Sequence, residues 1–277
     1  MLKTLTDDHR KQSGFTLIEL AVVLVVVGLL LGSFIGTFAE RIETSQRQSA
    51  KKQLEDIKLA LLGFVSTQGR LPCPTTATGN GNEQPFGGST IAIPCTLQHG
   101  FIPGKSLGIS GTYNRDNLLV DVWGNPIRYS VTANNMNAFT TPYTVPGAGG
   151  IKDVGMAGLL PDLIICDADS ADSDGCSVGV NTIIRGTPFV LISLGKDGSD
   201  FVKIPAPNSD QGENAGEATV LKNAGGENMA YTVGSGKAFV SKSYSSADSN
   251  AGLFDDLIVW ESPYIIYNRM MEAGQLP

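Results

Sequence analysis

Few residues in this chain are placed to do chemistry, and the most conspicuous is an acid. Glu19 stands inside an apolar stretch that runs from Phe15 to Ala39, and Leu20 to Leu31 contains no polar side chain. A carboxylate inside a membrane helix costs several kcal/mol unless it finds a partner. No Lys or Arg in the apolar run can pair with Glu19. A cation could come from a new amino terminus made by cutting after Gly14 on a neighbouring copy of the chain. That pairing would neutralise both groups and fix the axial register between two subunits. The cysteines are the second chemical group. Cys73, Cys95, Cys166 and Cys176 allow three disulfide connectivities, of which the local one, Cys73–Cys95 with Cys166–Cys176, closes two short loops. Four-cysteine zinc binding is the rival, but no Cys-x-x-Cys pair exists. Nucleophilic and metal catalysis have little to work with. The only histidines are His9 and His99, there is no Gly-x-Ser-x-Gly or His-Glu-x-x-His, and Gly234-Ser-Gly-Lys237 lacks phosphate-loop spacing.

The elements that must carry these residues follow from composition and periodicity. The 277 residues are 42% hydrophobic and 17% charged, with 20 Lys+Arg against 27 Asp+Glu and a net charge of -7. Such a balance argues against a nucleic-acid binder, since no basic surplus exists to displace counterions from phosphates. The 33 glycines point to many turns. The apolar run from Phe15 is long enough for a helix to span a hydrocarbon core of ~30 Å, and too long for a secretory signal peptide. Gly28, Gly32 and Gly36 recur at every fourth residue, a spacing that lets helices approach closely in lipid. Beyond Glu40 helical periodicity continues. Leu54, Ile57, Leu61, Phe64 and Val65 form an apolar stripe, and Gly69 and Pro72 end it. A helix from Phe15 to about Thr67 is expected to be roughly 80 Å long.

Ser13-Gly14-Phe15-Thr16-Leu17-Ile18-Glu19-Leu20, followed by an unbroken apolar or small stretch through Ser33, resembles the type IV pilin and pseudopilin superfamily. The resemblance implies cleavage between Gly14 and Phe15 by a prepilin peptidase, methylation of the Phe15 amine, and a filament-assembly role for Glu19. It places the amino end in the cytoplasm, a question that Lys3, Arg10 and Lys11 before the span and Arg41, Arg47, Lys51 and Lys52 after it do not decide. Four cysteines on a loop-rich head then fit an oxidising periplasm.

Two further segments resemble the major pseudopilin of type II secretion. Asp121-Val122-Trp123-Gly124-Asn125-Pro126 with Tyr129 matches its Asp-x-Trp-Gly-x-Pro segment. The physical reading is a Gly-Asn-Pro turn with Trp123 as a core anchor between two strands. Ser193-Leu194-Gly195-Lys196-Asp197-Gly198 and Asp255-Asp256-Leu257-Ile258-Val259-Trp260 match segments that form a calcium-bound loop in those proteins. By that resemblance Asp197, Asp255 and Asp256, with the Leu194 carbonyl oxygen, are the candidate calcium ligands, although residues 199–254 intervene. Asp167, Asp169, Asp172 and Asp174 lie between Cys166 and Cys176; their spacing is not Asp-x-Asp-x-Asp-Gly, and they read as an acidic, solvent-exposed loop.

The expected fold is α+β and pilin-like: a long, partly transmembrane amino-terminal helix packed on a carboxyl-terminal, antiparallel β-rich head. The leader is 1–14, the membrane half of the helix 15–39, its amphipathic half 40–68, and the head 69–277 with an insertion near 205–236. Strands are expected at 118–122, 127–132, 163–166, 189–194, 238–241 and 257–260. A terminal helix is expected from Tyr264, with Ile265, Ile266, Met270 and Met271 at helical spacing. The resemblance implies a non-enzymatic, minor structural subunit of a type IV pilus-like filament or type II secretion pseudopilus in the bacterial inner membrane. Its partners are then other pilin-like subunits, the prepilin peptidase, an inner-membrane assembly platform and membrane lipid. The competing class is a periplasmic binding protein or enzyme that uses the helix only as an anchor.

Overall fold

The computed structural model describes residues 15–84, 95, 97–142, 149–168, 176, 181–199, 214, 221–222, 229–230, 236–246 and 253–276; for 31–40, 136, 199, 221–222 and 229–230 it describes the backbone only. The leader with Gly14, most of the expected insertion, and Asp169, Asp172 and Asp174 lie outside the described residues. The chain divides into two compact units, Met1–Gln46 and Arg47–Pro277.

Helix α1, Leu17–Gln68, runs through the boundary between them. Gly69 follows it at φ 69°, with its N–H bonded to the Val65 carbonyl at 2.8 Å. A left-handed residue just past the last turn is what glycine permits, so the expected stop is the observed one. From Leu17 to Leu30 the side chains of α1 are exposed, including Leu17 and Leu29. Among the described residues no helix is long and apolar enough to cross a membrane. The span expected at 15–39 includes the ten residues 31–40 whose side chains are not described.

The second unit is built in layers. Strands β1 His99–Phe101, β2 Arg128–Val131, β3 Leu163–Cys166, β4 Thr182–Thr187, β5 Phe189–Ser193, β6 Leu221–Lys222, β7 Met229–Ala230, β8 Ala238–Val240 and β9 Leu257–Trp260 are joined by short helices α2 Asn134–Asn137 and α3 Ile151–Val154. Helix α4, Pro263–Glu272, follows β9. The main sheet has the order β1-β2-β5-β9 and is antiparallel throughout. A second sheet has the order β4-β3-β8, and a two-stranded ribbon pairs β6 with β7.

Alternation along β5 explains why its sequence is an unbroken apolar run. Phe189 and Leu191 enter a core with Leu54, Ile57, Leu61 and Val65 of α1 and Ile266, Tyr267 and Met270 of α4. Val190 and Ile192 point the other way, into a core with Leu163 and Ile165 of β3 and Phe239 of β8. Successive side chains of a strand face opposite sides, so a central strand buried on both faces has no polar positions.

Three expectations need correction, and the terminal helix stands where it is expected. The segment 118–122 holds only isolated bridges, Tyr113 with Leu119 and Val120 with Pro126. Asn114 Oδ1 takes the Leu118 N–H, and Asp121 Oδ1 takes the Trp123 and Asn125 N–H groups, so side-chain turns at both ends leave room for no more than these bridges. The sheets are not wholly antiparallel, since β3 and β8 run parallel; the long connection between them supplies the crossover that such pairing requires. In α4 the buried face is Ile266, Tyr267 and Met270, while Ile265 and Met271 are exposed. Its start is set by Ser262, whose Oγ accepts the Tyr264 N–H at 3.3 Å, followed by Pro263. Trp123 is only half-buried. Tyr129 fills the core instead, fully buried, with its hydroxyl donating to the Pro72 carbonyl at 3.0 Å.

Candidate functional site

In the first unit the chemistry gathers at the start of α1. Thr16 precedes the first helical residue, and its Oγ accepts the Glu19 N–H at 3.3 Å. Glu19 Oε2 in return accepts the Thr16 N–H at 3.4 Å and lies 3.5 Å from the Thr16 hydroxyl. This reciprocal arrangement is a capping box: each side chain satisfies a backbone donor that the helix itself leaves unpaired. It also puts the carboxylate in the first turn, where the helix dipole favours negative charge. Within its own chain, then, Glu19 has hydrogen-bonding partners, even though the sequence holds no nearby cation. Thr16-x-x-Glu19 is the residue pattern of such a cap, and this is the signal that a reading centred on charge alone passes over. Phe15 is exposed beside it.

In the second unit the two disulfides are formed, and their connectivity is the local one of the three. Cys73 is bonded to Cys95 and Cys166 to Cys176. The first bridge is buried beside a paired ion. Arg70 makes two bonds of 2.8 Å to the Glu83 carboxylate, and Glu83 Oε2 also accepts the Cys73 N–H at 3.1 Å. The second bridge closes the acidic loop. There Asp167 accepts both the backbone and side-chain N–H of Asn181, at 2.9 and 2.7 Å.

The segments 121–126 and 193–198 meet in space. Asp121 Oδ1 takes the N–H groups of Trp123 and Asn125, both at 2.9 Å, and Oδ2 takes the Ser193 hydroxyl at 2.6 Å. Asn125 Nδ2 donates to the Gly195 carbonyl at 2.5 Å. Burial raises the Asp121 pKa above its usual value, while these donors pull it down. The turn of one segment thus anchors the loop of the other.

Asp255 and Asp256 close on that loop from the carboxyl side. Asp255 Oδ2 accepts the Lys196 N–H at 2.6 Å and the Asp197 N–H at 3.4 Å, and its carbonyl accepts Arg47 Nη1 at 3.0 Å. The Arg47 guanidinium also lies 4.3 Å from the centre of the Tyr244 ring. Asp256 is buried, and its Oδ2 accepts Asn214 Nδ2 at 2.8 Å. Asn214 also exchanges two bonds with the backbone of Val240, from Nδ2 to its carbonyl and from its N–H to Oδ1. Burial pushes the Asp256 pKa well above the carboxylate range; Asn214 opposes the rise, and the nearby Asp255 and Asp197 add to it.

The sequence-predicted calcium set is brought together in part: the Asp197 N–H meets the Asp255 carboxylate, and both residues lie near enough to Asp256 to raise its pKa. Among the described residues no group of three or more His, Cys, Asp or Glu is arranged to hold a metal ion. Asp255 Oδ2 and Asp256 Oδ2 face N–H donors, and the Leu194 side chain is buried with Leu163, Ile165 and Phe239. Calcium requires six to eight oxygens around one point, whereas one carboxylate oxygen of Asp255 and one of Asp256 are engaged with N–H donors.

Sequence reasoning missed Asn214, Arg47 and His99. The His99 ring, against Phe239, shares a 2.9 Å hydrogen bond between Nδ1 and Ser130 Oγ. Burial lowers its pKa to about 4, with Asp162 opposing and Arg128 reinforcing the shift.

Comparison with curated proteins and with solved structures yields no match. A family model does match the amino-terminal segment, and proteins of its kind are generally structural rather than enzymatic. Over residues 9–35 the chain carries the prokaryotic N-terminal methylation motif, the signature of type IV pilins and pseudopilins.

Proposed function

We propose that the protein is a minor structural subunit of a type IV pilus-like filament or type II secretion pseudopilus. In this reading it is made as a precursor, cut after Gly14 by the prepilin peptidase and methylated on Phe15. The apolar part of α1 is stored in the inner membrane and then transferred into a bundle of like helices. Glu19 meets the Phe15 amine of a neighbouring subunit during that transfer. The single observation that carries the reading is the coincidence of the methylation motif with a helix start whose only acid is Glu19. The minor role is supported by the size of the head, which exceeds that of usual major subunits.

Glu19→Ala tests it directly. The variant is expected to accumulate with a folded second unit and to be lost from sheared filaments or from the pseudopilus fraction. Mass spectrometry of the wild-type chain should find Phe15 as the first residue, carrying an added methyl group. Recovery of the intact precursor from cells that possess the peptidase, or normal assembly of Glu19→Ala, sinks the reading and favours an anchored enzyme or binding protein.

A further inference from the structure

The loop Leu194–Gly198 reads in sequence as a place where oxygens gather round a cation. Its hydrogen bonding has the opposite polarity. Two successive backbone N–H groups, those of Lys196 and Asp197, converge on one carboxylate oxygen of Asp255. Gly195 precedes them at φ 67°, and a 3-10 turn, Asp197–Ser199, follows. A left-handed residue next to right-handed ones turns consecutive N–H groups to the same side and makes a concavity that holds anions. The partial charges lining it are positive, so it seats an anion.

The fit of the carboxylate is close. A Cβ on Gly195 would collide with the carboxyl group of Asp255. Glycine is thus required at 195 twice over, for its φ and for the approach of Asp255. Behind the loop, Asn125 holds the Gly195 carbonyl, and a Cβ on Gly198 would meet the Leu194 and Asn125 side chains. Arg47 fixes Asp255 from its other end through the carbonyl.

We propose that residues 194–198 form an anion-holding nest whose permanent, intramolecular ligand is the Asp255 carboxylate. Asp255 clasps this loop to the segment leading into β9, and the clasp works without metal. The loop keeps the residue types of a calcium site while a side chain of the same protein takes over the organising charge.

The test is thermal unfolding of the full-length chain in detergent micelles, with excess calcium and with EGTA. The two wild-type curves are expected to coincide. Asp255→Ala is expected to melt several degrees lower, and formate, small enough to enter the emptied nest, is expected to restore part of the loss where the same concentration of chloride does not. A calcium-induced rise in the wild-type Tm that EGTA reverses overturns the proposal, as does an Asp255→Ala chain that responds equally to formate and chloride. Should Asp255→Ala fail to fold, Asp255→Asn keeps the shape of the clasp without its charge. Its Tm is expected to fall below wild type and to ignore calcium, and a calcium-dependent rise in that variant counts against the clasp.

Discussion

Two stretches of α1 carry the same kinds of side chain in opposite settings. From Leu17 to Leu30 nearly every residue is Leu, Val, Ile or Ala, and the large ones are exposed, down to 43% for the least exposed, Val27. From Leu54 to Val65 the residues Leu54, Ile57, Leu61 and Val65 are at most 1% exposed. The difference lies in what surrounds the apolar positions in sequence. In the second stretch Glu55, Asp56 and Lys58 fill the other faces, so a single stripe needs covering, and one sheet with α4 covers it. The first stretch is apolar all round, and a helix of that kind is buried only when apolar material surrounds it, whether lipid or other helices. A folded head covers a stripe; it takes a solvent or a bundle to cover a cylinder.

The largest expected effect separates these two settings. Leu61→Ala removes a side chain with no exposed surface and should destabilise the second unit by about 4 kcal/mol, lowering its Tm by about 10 °C. Leu24→Ala, in the exposed stretch, should leave that Tm unchanged while reducing the amount of filament. Equal Tm losses in the two variants would erase the contrast.

A somewhat smaller effect belongs to pH and probes the second unit alone. His99 is neutral in the fold down to about pH 4, whereas an unfolded histidine takes up its proton near 6.5. Between those values the unfolded chain binds the extra proton, so stability rises with pH and is lost as pH falls from 6.5 toward 4. The shift corresponds to about 3 kcal/mol across that window. Denaturant titrations of wild type and His99→Gln should differ in their slope of stability against pH in this range and run parallel above pH 7. Parallel lines throughout would show that burial does not hold His99 neutral.

What the sequence makes legible follows from how local the governing interaction is. The stop at Gly69, the apolar stripe from Leu54 to Val65, and the strands at 163–166 and 257–260 all depend on near neighbours, and they stand where periodicity and turn residues put them. Strand β4 is hidden because Thr182–Thr187 is an edge strand with half its positions exposed and one buried, so it has no apolar alternation to read. The 118–122 segment errs in the other direction: its β-branched and apolar content is real, but turns held by Asn114 and Asp121 bound it on both sides and leave only isolated bridges. At the candidate sites the residue types were visible and their partners were not. Asp197, Asp255 and Asp256 are plain in the sequence, yet whether they face a cation or N–H groups is decided by Gly195, Asn125 and Asn214, brought in from distant segments.

The smallest expected effect concerns the cap at the start of α1. Thr16 and Glu19 satisfy each other's backbone donors, and replacing the N-cap threonine by alanine costs about 1 kcal/mol in helices generally. Loss of so little is not expected to unfold a helix of 52 residues. It should instead appear as fraying. Amide hydrogen exchange at Glu19 and Leu20 in micelles should speed up about fivefold in Thr16→Ala, as ~1 kcal/mol implies, and remain near wild type in Thr16→Ser, which keeps the hydroxyl. The second unit, which has its own core, should show the same exchange in all three chains. If Thr16→Ala instead loosens residues beyond Arg47, then the two units do not hold their stability separately, and the contrast between the two stretches of α1 has to be redrawn as one cooperative helix.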